Sequence, residues 1–232
     1  MFYPMFDPTM ILLIPGIIVA LYAQSKVQTT FARYSRILSQ RGITGAQAAR
    51  QILDSNGLYD VNIELIAGHL SDHYDPRTRT VRLSSEVYHG SSLASLGVAA
   101  HEVGHAIQHD TGYLPLHIRN SIIPVTQFGS NLAFPLLLIG IIMGSPFLMQ
   151  AGVLLFTAVV FFQLVTLPVE FNASSRALAI LEGQGFLGRE EIKGTKSVLD
   201  AAALTYVAAA LMAFLNLVRL LIISGMLGGR RD

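Results

Sequence analysis

The 232-residue chain contains no cysteine. Disulfides are excluded, and so is a metal site built on thiolates. Charge is scarce as well: Asp, Glu, Lys and Arg make up 13% of the residues, against 52% hydrophobic ones. Residues 120–169 hold no Asp, Glu, Lys or Arg at all. A membrane-spanning helix needs about 20 predominantly apolar residues, so this run accommodates two and takes the chain out of the soluble class. The first basic residue is Lys26. Without a basic start or a clear small-x-small cleavage site, the N-terminal apolar stretch does not read as a cleaved signal peptide. The net charge is only +1, and the basic residues are scattered without interleaved aromatics. No nucleic-acid partner is expected.

The apolar segments that are present divide the chain. A first transmembrane helix is expected at 9–25, bent at Pro15-Gly16. Residues 26–119 are the main water-exposed part. Val27, Phe31, Tyr34 and Leu38 would share one helical face there. Thr44-Gly45-Ala46-Gln47 is a capping-box start, and Asn56-Gly57 a stop. Val61, Ile63 and Leu65 alternate with Asn62 and Glu64, which predicts a strand. A turn at Asp75-Pro76 and a second strand at 80–83 follow. Gly112 and Pro115 would end the next helix. A hairpin of helices at about 120–143 and 147–168 turns at Gly144-Ser145-Pro146 and closes at Pro168. Gly140 and Gly144 form G-x-x-x-G, expected to pack within the chain, with a homo-oligomer as the alternative.

Glu170 then opens a short polar helix to about Glu182, followed by a loop at Gly183, Gly185 and Gly188. A last apolar helix spans 200–224, interrupted only by Arg219, and the tail 228–232 is expected to be mobile. The pattern predicts a mainly α membrane protein of about four transmembrane helices with a small α+β portion. Its divisions are 1–25, 26–119, 120–168, 169–199 and 200–232.

Chemistry concentrates at His101-Glu102-Val103-Gly104-His105, an H-E-x-x-H pattern. It sits in a run of small and apolar residues opened by serines, which reads as one buried helix. Residues four apart share a helix face, so His101 and His105 can offer two imidazole nitrogens to one ion. Glu102 would stand beside that ion as a base. Zn2+ suits such a set, because it takes nitrogen and oxygen ligands and keeps a position open in catalytic sites.

A catalytic zinc site usually has a third protein ligand. A histidine six residues after His105 would mark a metzincin, but Thr111 stands there. His109 lies on the same face one turn on, which suits an outer contact better. His69, His73, His89 and His117 are further candidates. Asp200 would serve an intramembrane protease, but the apolar stretch before His101 is too short to span. Glu170 is the strongest candidate, since Ala173 and Ser174 one turn later are small enough to let its helix approach the metal helix.

The chain resembles the YugP-type membrane zinc metallopeptidases, distant relatives of the HtpX and CAAX-prenyl endopeptidases. The residues that carry the resemblance are His101-Glu102-Val103-Gly104-His105-Ala106-Ile107-Gln108, Leu70-Ser71-Asp72-His73-Tyr74-Asp75-Pro76 and Leu167-Pro168-Val169-Glu170-Phe171-Asn172-Ala173-Ser174. The resemblance covers most of the chain, and together these motifs are specific. The resemblance implies a gluzincin-like fold and a zinc peptidase in which His101, His105 and Glu170 bind metal and Glu102 is the base. The wider relatives read Glu-x-x-Ala-Asp in the second motif, where this chain has Ser174. Ser174 or Asn172 would then support a zinc-bound histidine in place of that aspartate.

The expected activity is a membrane-embedded zinc endopeptidase acting on a peptide or membrane-protein substrate near the bilayer surface. Arg176 and Tyr206 are the candidate oxyanion donors. Two rivals are a membrane metallohydrolase cleaving a non-peptide amide, and a non-catalytic assembly component. Nine of the sixteen Lys and Arg lie in 26–119 and four in 169–199. A cell-membrane, multi-pass protein with its catalytic part in the cytoplasm is therefore expected.

Overall fold

The computed structural model describes residues 8–226; the tail 228–232 lies outside them. The chain is mainly helical with one small sheet. It divides into two compact units. One comprises residues up to Ala23, Ile118–Leu167 and the chain from Thr205 onward; the other comprises Gln24–His117 and Pro168–Leu204. Among the described residues, four helices are long and apolar enough to cross a membrane: Pro8–Tyr34, Leu114–Ile142, Pro146–Gly183 and Arg189–Ile223.

The first of these is a 3-10 turn, Pro8–Leu13, continued by α1, Ile14–Tyr34. Pro15 therefore falls at the junction where the 3-10 turn passes into α1. The expected span and the helical face that follows it are one continuous helix, Pro8–Tyr34. Phe31 and Tyr34 do pack inward. Leu38 does not share their face: it lies beyond the helix, pairs with Ser92 in an isolated bridge and is 69% exposed.

Helix α2, Gly45–Ser55, starts where the capping box predicts. Thr44 accepts the Gln47 N–H, and the Gln47 side chain accepts the Thr44 N–H. Gly45, Ala48, Ala49, Ile52 and Leu53 are its buried face, at helical spacing. The sheet has the order β1-β3-β2, with β1 at Asn62–Ile66, β2 at His73–Asp75 and β3 at Thr80–Ser84. Strand β1 runs parallel to β3, and β2 antiparallel. Val81 and Leu83 of central β3 are fully buried, whereas Leu65 of β1 is 53% exposed. The alternation located β1 but did not give it a buried face.

Arg82 lies opposite Glu64 and also reaches Asp75, at 3.1 and 3.0 Å. The Arg82 guanidinium holds the Asp75 carboxyl at about 2. A carboxyl depressed by folding stabilises above its unfolded value and loses that contribution as pH falls through the folded one. Asp75→Asn is expected to lower stability by about 0.2 to 1 kcal/mol at neutral pH, as exposed ion pairs do. The gap from wild type should close as pH drops from about 4 toward 2, as read from denaturant midpoints.

After the single turn α3, Ser85–Tyr88, comes α4, Leu93–Asp110, capped by Ser92 through the Ser95 N–H. Its apolar residues, with those of α2 and β3, fill the core of this unit. Gly112 has φ +65° and ends the passage out of α4. Helix α4 ends before Pro115 as expected, and Pro115 then sits in the first turn of α5, Leu114–Ile142.

Helix α6 is Pro146–Gly183, so the hairpin turn is where the sequence puts it, with Gly144 at φ +61°. A Cβ on Gly140 would come within 2.8 Å of the Met149 backbone nitrogen. Both glycines of G-x-x-x-G thus serve the hairpin itself. Pro168 does not close the second arm: α6 runs through it, and the separate helix expected at Glu170 is its continuation. Proline costs about 3 kcal/mol inside a helix, but the residues after it are strongly held. Val169, Ala173, Ala177 and Leu181 recur every four residues and are all fully buried. The last helix, α7, is Arg189–Ile223 and starts well before residue 200. Acidic Glu190 and Glu191 favour its first turn, a signal that hydropathy does not carry. Arg219 donates to Thr9 at 3.2 Å within the apolar unit.

Candidate metal centre

His101 and His105 lie one turn apart on α4, and their rings meet edge to face. Glu170 approaches from α6. Its Oε2 is 3.2 Å from His101 Nε2 and 3.5 Å from His105 Nε2. One ligand atom from each of the three lies within 4.8 Å of the others. Tetrahedral ligands at about 2.0 to 2.1 Å from zinc are separated by about 3.3 Å. Both the donor chemistry and the spacing fit such an ion. All three side chains are largely withdrawn from solvent.

Close approach of the two helices makes this convergence possible. A Cβ on Gly104 would lie 2.8 Å from the Ala173 carbonyl oxygen and 3.3 Å from its Cα. These are backbone atoms of α6, which cannot swing aside. Gly104→Ala is expected to cost about 1 to 3 kcal/mol, the usual range for overpacking. It should also lower metal occupancy, because spreading α4 from α6 separates the histidines from Glu170. A thermal melt and an elemental analysis of the same preparation check both.

Each histidine is held from behind. Ser174 Oγ lies 3.1 Å from His101 Nδ1. His105 Nδ1 meets Gln108 Oε1 at 3.0 Å. Gln108 donates to the Val169 carbonyl at 2.8 Å and to Asn172 Oδ1 at 3.0 Å. Asn172 therefore reaches His105 only through Gln108. Gln108 is not among the site residues that the sequence predicts. The available signal was its position three residues after His105, where helix neighbours touch.

Glu102 is buried beside the cluster, 8% exposed. Burial pushes its carboxyl up to about 7, the Glu170 and Asp72 charges add to this, and the His101 charge and the Tyr74 backbone N–H oppose it. A cation in the site would pull it back down. Asp72 accepts from the Ser84 N–H at 2.7 Å and from its hydroxyl, which fastens the segment leading into β2.

The other candidates lie elsewhere. His109 Nδ1 pairs with the Tyr74 hydroxyl at 2.9 Å, and its ring lies against His117. His69 pairs with Glu86, His73 with the Ser71 carbonyl, and His89 with the Tyr88 ring. Asp200 is exposed in mid-helix and pairs with Lys196. Arg176 donates to Asn172 Oδ1 at 2.8 Å. Tyr206 belongs to the apolar unit, on α7. Among the described residues, His101, His105 and Glu170 are the group that converges on one point.

Residues 9–225 match the family described as "Putative neutral zinc metallopeptidase". The chain is also 51% identical over 214 residues to the "Putative membrane protease YugP" of Bacillus subtilis (strain 168). The match covers 92% of this chain and 94% of that relative. No solved structure matches.

Proposed function

The chain belongs to the neutral zinc metallopeptidase family, and from that premise we propose that it is a membrane zinc endopeptidase. His101, His105 and Glu170 hold the ion and Glu102 is the general base. The observation that carries this reading is the convergence of two imidazoles and a carboxylate, with a second, non-converging carboxyl group buried beside them. Zinc in such a set supplies Lewis acidity, polarising a carbonyl and making hydroxide available near neutral pH.

The protein's own groups supply the rest. Glu102 takes a proton from the attacking water and gives it to the departing amine. The Tyr74 backbone N–H holds the Glu102 carboxylate in place. Strand β2, which carries Tyr74, is an edge of the sheet. An edge accepts an extended peptide by backbone pairing, so β2 favours a peptide substrate. Glu170 follows the uncharged run 120–169 directly in sequence. This supports a site near the membrane surface, acting on a peptide there or on a segment drawn from the bilayer.

Comparative proteomics of membranes carrying wild-type or Glu102→Gln protein tests the reading. New peptide termini confined to the wild-type membranes are expected. A change in lipid amides with no change in peptide termini would identify a different hydrolase.

The catalytic unit faces the cytoplasm in this proposal. Residues 26–119 and 169–199 carry thirteen of the sixteen basic residues, and the 144–146 turn carries none. Arg230 and Arg231 then fall outside, though early segments usually dominate orientation. In intact cells an impermeant thiol reagent should label Ser145→Cys and not Ser71→Cys. The opposite pattern reverses the topology.

A further inference from the structure

The hydrogen-bond chain behind His105 has only one possible direction. The Val169 carbonyl can only accept, so the amide nitrogen of Gln108 must face it, and it does so at 2.8 Å. The Arg176 guanidinium can only donate, so the oxygen of Asn172 faces it. That same oxygen takes the other Gln108 N–H at 3.0 Å. The two ends of the chain therefore fix the Gln108 amide, and its oxygen is the atom left 3.0 Å from His105 Nδ1. An oxygen acceptor there requires the proton on Nδ1. The lone pair of His105 is left on Nε2, the nitrogen on the Glu170 side.

The arrangement at His101 differs. Its Nδ1 faces the Ser174 hydroxyl, which can donate or accept and so imposes no tautomer. Gln108 is fully buried. An amide in that position is costly unless all its groups are paired, and here both N–H groups and the oxygen are.

We propose that Gln108 is a positioning residue for the metal centre. It holds His105 in the Nδ1–H tautomer, so that Nε2 presents its lone pair to the ion, and it ties that setting to the helix that carries Glu170. The inference rests on the reading of His101, His105 and Glu170 as metal ligands.

Gln108→Leu isolates the effect. Leucine has a similar volume. Without the amide, Asn172 Oδ1 keeps Arg176, and the Val169 carbonyl keeps the bond that a helix gives it four residues on. Only His105 Nδ1 loses its partner. The full-length protein in detergent is titrated with zinc against a chromogenic chelator. Gln108→Leu should weaken zinc binding about 10- to 100-fold, the usual cost of an outer partner, with a metal-free melting temperature close to wild type.

A second measurement needs no folded variant of Gln108. Nitrogen spectra of histidine-labelled, metal-free wild-type protein, recorded at a pH where the signals themselves show a neutral ring, should show His105 as the Nδ1–H tautomer. The His105 signals are assigned by their loss in His105→Gln. An Nε2–H tautomer in wild type, or unchanged zinc affinity in Gln108→Leu, overturns the proposal. His101→Ala separates the two levels. If it loses zinc while Gln108→Leu keeps it, the Gln108 role fails and the metal site stands. If His101→Ala keeps zinc as well, the metal site itself is wrong.

Discussion

Glu102→Gln should leave the zinc content unchanged and lower peptide hydrolysis by about 10²- to 10⁴-fold, the usual contribution of a general base. The carboxylate is not one of the converging ligand atoms, so its replacement removes no bond to the ion. Glutamine has the same shape, and its amide oxygen still accepts the Tyr74 backbone N–H that the carboxylate accepts now. What it cannot do is take a proton. Burial raises the wild-type carboxyl, and a cation in the site opposes that rise. A neutral amide is also cheaper to bury than a carboxylate, so the variant should be at least as stable as wild type. Cleavage of a fluorogenic peptide and elemental analysis on one preparation decide the matter. Full activity would remove Glu102 from the mechanism, and loss of zinc would make it a ligand.

Local chemistry made some of this architecture legible in the sequence. His101 and His105 were readable because four-residue spacing alone puts two side chains on one helix face. The start of α2 was readable because a capping box is satisfied within four residues. The hairpin of α5 and α6 was readable because a long run without charge has few other uses. What could not be read depended on partners distant in sequence. Strand β2 is only His73, Tyr74 and Asp75, without apolar alternation; it is a strand because β3 lies beside it. Pro168 obeys the local rule for a helix stop, and α6 overrides it because Val169, Ala173, Ala177 and Leu181 form a seam buried on that unit's core side. Leu38 and Leu65 fit an apolar pattern and yet are exposed. Gln108 gains meaning only once residues 169 and 172 are brought against it.

Glu170→Gln should lose zinc and activity together. A carboxylate at a helix N-terminus could instead be a cap, favoured by about 0.3 to 1 kcal/mol, and substituting it would then cost only stability. Helix α6 removes that alternative, because Glu170 lies deep inside Pro146–Gly183 with helix on both sides. Its side chain is 5% exposed, with one oxygen 3.2 and 3.5 Å from two imidazole nitrogens. A carboxylate withdrawn this far from water is costly unless a positive charge offsets it, and an ion held by His101 and His105 supplies one. Glutamine keeps the shape and loses the charge. The affinity loss should therefore exceed the about 10- to 100-fold expected for an outer partner, and activity should fall in proportion to occupancy. Excess zinc in the assay should recover part of it, whereas it should recover none in Glu102→Gln. Normal zinc content in purified Glu170→Gln would defeat the assignment. Among the described residues no other group converges there, and Asp200 is exposed and paired with Lys196 while His69 is paired with Glu86. The ion would then have to be held by the two histidines and water alone.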